Sequence, residues 1–368
     1  MKPNQSLFDR TGVLGLIVLS LVAAHARCQS FISNFNTVTT ISSTVPSNGD
    51  VNPYGVARVP TTKGKLVAGR FLISNFNDSM NFQGTGTTIV QISPGGTFSL
   101  FAHIDPNKVS CPGGVGLTTA LVALRSGFVI VGSLPTGDQG AVFTGAGCLI
   151  VLNSSGNVVE TISGHHLNGP WDMTALDGDF LAALFVTNVL NGTVAAGGSV
   201  VHGGTVVRLL LAIPDDHAPV LLDSTVIASG FPERTDPAAL VIGPTGVAFD
   251  EESGNLYVAD SLDNRIASIP NALFRFQSAG RGLTLSENGK LNDPLGLALA
   301  PDRHILTANG ADGNIVETNP FTHTQVAFKL VDSTGPPPLG AGALFGLIAS
   351  SHGVYFVDDD FNTFNLLH

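Results

Sequence analysis

Apolar residues along this chain come in short runs broken by glycine, proline and small polar residues, and the same order of runs keeps returning. The clearest copy reads Gly243-Pro244-Thr245-Gly246-Val247-Ala248-Phe249-Asp250, then Gly254-Asn255-Leu256-Tyr257-Val258-Ala259-Asp260. A second is Asp293-Pro294-Leu295-Gly296-Leu297-Ala298-Leu299 followed by His304-Ile305-Leu306-Thr307-Ala308-Asn309. A third is Leu344-Phe345-Gly346-Leu347-Ile348-Ala349 followed by Gly353-Val354-Tyr355-Phe356-Val357-Asp358. The glycines at 246, 296 and 346 are spaced by 50 residues each time. Earlier in the chain, Asn52-Pro53-Tyr54-Gly55-Val56-Ala57 leads into the apolar run 71–75, and Gly114-Val115-Gly116-Leu117 leads into 128–133. Asn168-Gly169-Pro170-Trp171-Asp172-Met173 leads into 180–188, with Asp172 where the other copies carry glycine.

Each copy predicts a short strand, a polar turn and a second strand ending on Asp, Asn or Ser. Two further strands follow, at 87–93 and 97–103 around the turn Pro94-Gly95-Gly96, and again at 147–152 and 158–162. Four strands per unit is a propeller blade, so six units predict an all-β, six-bladed β-propeller over residues 27–368, with blade cores starting near 52, 113, 168, 243, 293 and 343. Helical repeats are excluded because the units are glycine-rich and lack apolar spacing at three and four residues. After Val357 only 361–367 remains, enough for a third strand, so the outer strand of the last blade is expected from 38–41 near the N-terminus. Asp172 stands 74 residues before Gly246, which predicts an insertion at the Gly-rich stretch 191–204.

Composition agrees: 43 Gly and 21 Pro with only 12% charged residues suit many short strands and tight turns. The net charge of -11 comes without a Lys/Arg cluster, so nucleic acid is not an expected partner. Lys2 and Arg10 precede an apolar run at 13–24 and the small-x-small sequence Ala24-His25-Ala26, which predicts a signal peptide over 1–26 and a secreted or periplasmic chain. No later segment reads as a membrane span, and the chain is expected to act as a monomer. Of Cys28, Cys111 and Cys148, the pair Cys111–Cys148 is a candidate disulfide; three buried or unpaired thiols are the alternative.

The segment 256–266, Leu-Tyr-Val-Ala-Asp-Ser-Leu-Asp-Asn-Arg-Ile, with Gly243–Ala248 ahead of it, resembles an NHL repeat, and Leu184-Phe185-Val186-Thr187-Asn188 resembles the related YVTN type of blade. The resemblance implies a propeller whose first strands line a central channel, and implies no single activity. On such a fold the residues at the channel mouth would be Tyr54, Val115, Trp171, Thr245, Leu295 and Phe345, edged by the second-strand ends Asn75, Ser133, Asn188, Asp260, Asn309 and Asp358. From these Tyr54, Asn75, Trp171, Asn188, Asp260, Asn309, Phe345 and Asp358 are taken as candidate ligand-binding residues.

Asp and Asn at strand ends have a structural role, bonding to the turn backbone, that weighs against a role as ligands. A Ca²⁺ ion would draw six to eight oxygens from them, and Asp358-Asp359-Asp360 reads as a Ca²⁺ ligand run or as a solvated turn. The reading is a secreted, non-catalytic binding module for an unknown protein, carbohydrate or small-molecule ligand, with no cofactor required. The alternative is a calcium-dependent lactonase or esterase of the SMP-30/gluconolactonase-like type. That group's Pro-Asn-Gly before a first strand is absent, the corresponding positions being apolar, aromatic or Thr.

Overall fold

Along blade 2, Val129 and Val131 pack toward the preceding blade while Ile130 packs toward the next, and Cys148, Ile150 and Leu152 alternate with Leu149 and Val151 in the same way. Period-two alternation with apolar residues on both faces is what a sheet buried between two other sheets requires, and it accounts for the unbroken apolar runs of the sequence. The structure, a computed structural model, describes residues 30–137, 142, 143, 145–214, 217–237 and 239–368. The predicted signal peptide 1–26 and Cys28 lie outside the described residues.

Six sheets form the blades of a β-propeller. Blade 1 comprises Val51–Arg58, Phe71–Asn77, Gln83–Ile92 and Phe98–His103; blade 2 comprises Leu121–Ala123, Val129–Ser133, Cys148–Leu152 and Val158–Ser163. Blade 4 comprises Pro244–Asp250, Asn255–Asp260, Arg265–Ile269 and Leu283–Glu287, and blade 5 Pro294–Leu299, Ile305–Asn309, Asn314–Asn319 and Thr324–Leu330. Every pairing within a blade is antiparallel, and a separate apolar cluster fills each of the six interfaces between neighbouring blades. Among the described residues no helix is long and apolar enough to cross a membrane.

Blade 6 contributes Leu344–Ser350, Gly353–Asp358 and Thr363–Leu367, and Val38–Ser43 completes it, pairing from Val38 opposite Leu367 to Ser43 opposite Thr363. The ring is thus closed by the N-terminal strand that the missing fourth strand called for. The approach to that strand is held by the buried Glu317 of blade 5, whose carboxylate accepts from Ser30 Oγ at 2.6 Å and from the amides of Phe31 and Ile32 at 2.8 Å.

Blade 3 is longer than expected and differently so. Its strands are Pro170–Asp177, Leu181–Asn188, Val201–Ala212, Val220–Asp236 and a fifth, Leu240–Ile242. The extra residues form the loop 189–200 and a lengthened outer hairpin of 12 and 17 residues, so 201–204 belongs to a strand and not to an inserted loop. Cys111 and Cys148 are disulfide-bonded with Cα atoms 5.5 Å apart, tying the entry loop of blade 2 to its third strand.

The recurring glycine has a single cause. A Cβ on Gly55 would meet Thr119 O of blade 2 at 2.5 Å, and Gly246, Gly296 and Gly346 likewise abut the carbonyls of Leu295, Phe345 and Tyr54 on the next blade round. The inner strands approach too closely for a side chain. This geometry corrects the phase of blade 2: Thr119–Ala120, not Val115–Gly116, occupies the equivalent place, with Ala120 lying across from Gly132, so the small residue has moved to the partner strand. In blade 3, Asp172 replaces the glycine, and its carboxylate accepts from the Val247 amide of blade 4 at 3.0 Å.

Candidate functional site

At one end of the channel the entry residues of the inner strands converge. Tyr54 and Phe345 stack with ring centroids 4.8 Å apart, Trp171 meets Tyr54 edge-on at 5.8 Å, and Phe76 completes the group. Trp171 Nε1 donates to the Tyr54 hydroxyl oxygen at 2.6 Å, locking the two rings. Tyr54 and Trp171 are each 3% exposed, whereas Phe345 is half-buried. These rings therefore form a floor across the channel. Burial, with smaller contributions from Asp172 and Asp293 that outlast the opposing bond from Trp171, holds the Tyr54 phenol well above its ordinary pKa.

Above the floor is a cavity of about 620 Å³ with a polar rim that includes Asn52, Arg234, Asp236, Asn264, Asp293 and Asp359. Asn52, Asn264 and Asp293 sit at positive φ (59°, 46° and 53°), a left-handed conformation that short polar side chains tolerate best. The Asp293 amide donates to Asn264 Oδ1 at 2.6 Å, while Asp293 Oδ1 is buried without a hydrogen-bond partner. Burial and, behind it, the charge of Asp236 push Asp293 up to about 6, against the pull of Arg234. Arg234 is itself paired with Asp236 at 2.8 Å. Asp359 is raised to about 7 by burial and by its neighbours Asp360 and Asp358, and its Oδ1 is also buried and unpartnered.

Beneath the floor, the axial channel holds a second space of about 350 Å³, into which Asp172 projects among inner-strand backbone. The Asp172 carboxylate accepts from the amides of Met173 at 2.8 Å and Val247 at 3.0 Å, yet burial outweighs both donors and raises it to about 7.

Of the eight sequence-selected residues, Tyr54, Trp171 and Phe345 line the mouth cavity and Asn75, Asn188, Asp260, Asn309 and Asp358 do not. The latter are buried and bonded within the fold. Asn75 Nδ2 donates to Thr44 O at 2.9 Å, Asn188 Oδ1 accepts from the Asn168 amide at 3.1 Å, and Asn309 Nδ2 donates to Lys290 O at 2.8 Å. Asp260 Oδ2 accepts from Arg265 and Arg281, both at 2.8 Å, and Asp358 Oδ1 accepts from the Phe361 amide at 3.2 Å. Ser133 Oγ similarly accepts from the Gly116 amide at 2.9 Å.

The repeat does not single out Asp236 or Asp293, which share no phase with the residues just before each glycine, and Asp359 enters only within the acidic run 358–360. Asp293 directly precedes the Pro294 that opens its strand, and Asp359 is the middle of an acidic run of which Asp358 is buried and Asp360 exposed. The axial positions at the mouth are aromatic, aliphatic or Thr and offer no carboxylate to a Ca²⁺ ion, so the oxygen donors of this cavity are those of its rim. Among the described residues, the one group of three His, Cys, Asp or Glu side chains with ligand atoms within 4.8 Å of one another is Asp302, His304 and Glu317, away from the cavity. Glu317 there is already occupied by the N-terminal segment.

No protein-family model matches the chain, and no curated protein sequence matches it. Among solved structures it is similar to a gluconolactonase of Xanthomonas campestris, with 12% identity over 89% of this chain and 88% of that one at a TM-score of 0.53. A putative gluconolactonase (17% identity, 89% and 90% covered, TM-score 0.48) and a streptogramin B lyase (13% identity, 90% and 87% covered, TM-score 0.46) are similar as well. Likeness at this level of identity shows the shared six-bladed propeller fold.

Proposed function

We propose that the chain is a ligand-binding propeller whose mouth cavity takes a small organic molecule. The observation that carries this reading is the cavity itself: about 620 Å³, an aromatic floor set by the Trp171–Tyr54 bond, and rim carboxyls with buried, unpartnered oxygens. Size and lining fall in the range of small-molecule sites, where apolar area supplies affinity and a few polar groups fix orientation. The predicted leader, together with the bonded Cys111–Cys148 pair, supports an extracytoplasmic location.

The test is a fragment panel followed by ligand-observed NMR and the emission of Trp171, the one tryptophan. Binding that shifts this emission and is cancelled by filling the cavity with Leu295→Trp is the expected result, leaving two tryptophans whose contributions a Trp171→Phe background separates. A panel that yields no cavity binder refutes the reading.

Hydrolysis of a lactone or similar ester is the second reading. Asp293 and Asp359, raised to about 6 and about 7, would each be divided between acid and base near neutrality, as general acid–base chemistry requires. The fold shared with a gluconolactonase supports it only as analogy. Turnover of a lactone panel that survives EDTA and is lost in Asp293→Asn is the expected signature; turnover abolished by EDTA would instead restore the calcium-dependent alternative.

A further inference from the structure

Three carboxyl side chains, Asp236, Asp293 and Asp359, and one guanidinium, Arg234, line the mouth cavity. Arg234 is spent on Asp236 at 2.8 Å, so its charge is largely cancelled before it reaches the cavity. Among the described residues neither Asp293 nor Asp359 forms a salt bridge, Arg234 acting on Asp293 only at a distance, and each has an oxygen that is buried and without a hydrogen-bond donor. No Lys or His is among the residues that line the space. Opposite these groups lie ring surfaces, with the half-buried Phe345 most open to the cavity and Tyr54 and Phe76 behind it.

An acidic rim over an aromatic floor selects charge in one direction. Aromatic faces attract cations through their quadrupole, and buried carboxylates without donors gain most from an N–H group or a positive charge brought to them. An anionic ligand would face like charge wherever these carboxyls are ionised, and a neutral one would meet their oxygens only through its own O–H or N–H donors, without the charge term. Taking the mouth cavity as a ligand site, we infer that its ligand is an organic cation, a primary amine or a more substituted ammonium carried on an apolar or aromatic body. Its charged end meets Asp293 and Asp359, and its body lies on Phe345 and Tyr54. Burial first and neighbouring carboxylates second raise the two carboxyls to about 6 and about 7, and a cation bound beside them would draw both down.

Benzylamine, benzyl alcohol and benzoate share a body and differ in charge, and calorimetric titration of the full chain with each separates the terms. Benzylamine is expected to bind at least about tenfold more tightly than the alcohol, with benzoate weakest. Asp293→Asn is expected to reduce the amine-over-alcohol ratio to within about threefold, chiefly by weakening the amine; Asp359→Asn serves the same purpose should the first variant not fold. Equal binding of amine and alcohol overturns the cation preference and leaves the cavity as a ligand site. Failure of all three to bind overturns both.

Discussion

Replacing Gly55 by alanine tests whether close approach of the inner strands is what the repeated glycine serves. Its φ lies outside the left-handed region, so the backbone itself accepts an L side chain and any cost is steric. The added Cβ would stand 2.5 Å from Thr119 O, 2.7 Å from Ser74 Oγ and 2.8 Å from Leu121 Cβ. The first of these falls short of ordinary van der Waals contact by about 0.9 Å, and a strand carbonyl cannot swing away freely. Overpacking of this kind costs about 1–3 kcal/mol, offset by about 0.4–1 kcal/mol from the stiffer unfolded chain, leaving a net loss of about 1–2 kcal/mol. At roughly 2–4 °C per kcal/mol the melting midpoint should fall by about 2–8 °C. Because Thr119 Oγ1 donates to Trp171 O at 2.6 Å, displacement of Thr119 should also reach the floor and red-shift the tryptophan emission. Gly95→Ala is the control, since its φ is ordinary and nothing lies nearer than 4.0 Å; it should melt at or slightly above the parent. If Gly55→Ala melts with Gly95→Ala and leaves the emission unchanged, the steric account of the repeat is wrong.

Three further outcomes follow from the structure. Asp172, Asp293 and Asp359 hold protons more tightly folded than unfolded, so their contribution is complete below the ordinary value of 3.8 and is lost as pH rises from there through about 6–7; the melting midpoint should fall between about pH 4 and about pH 7, less steeply in Asp172→Asn, and a flat profile would count against the burial assigned to them. Cys111→Ser with Cys148→Ser frees a loop with a sequence separation of 37, for a loss of about 4 kcal/mol by loop entropy; denaturant unfolding that leaves the midpoint unmoved would contradict this. Glu317→Ala removes the acceptor for Ser30 and the Phe31 and Ile32 amides, so limited proteolysis should cut ahead of Val38 in the variant well before the parent, whereas equal protection would show that the pairing with Thr363–Leu367 suffices.

The chain by itself determined the blades and their number. Each blade is a local hairpin array whose apolar alternation, turns and strand-end Asp or Asn are written contiguously, so Asn255–Asp260 and Ile305–Asn309 could be read without knowing their neighbours. Even the long-range closure by Val38–Ser43 was legible, because a blade one strand short must find a partner edge. What lay between blades was not. That Thr119–Ala120 and not Val115–Gly116 faces Gly55, or that Asp172 substitutes for a glycine by bonding Val247 across an interface, depends on distances between segments far apart in sequence. The site divided along the same line. Tyr54, Trp171 and Phe345 follow from the repeat, since one strand phase places all three at the mouth. Asp236, Asp293 and Asp359 come from an outer strand, a pre-strand turn and a hairpin turn, which share no phase in the sequence. Only closure of the ring, by packing six apolar interfaces at once, brings those loops over one floor and buries their carboxyls against it.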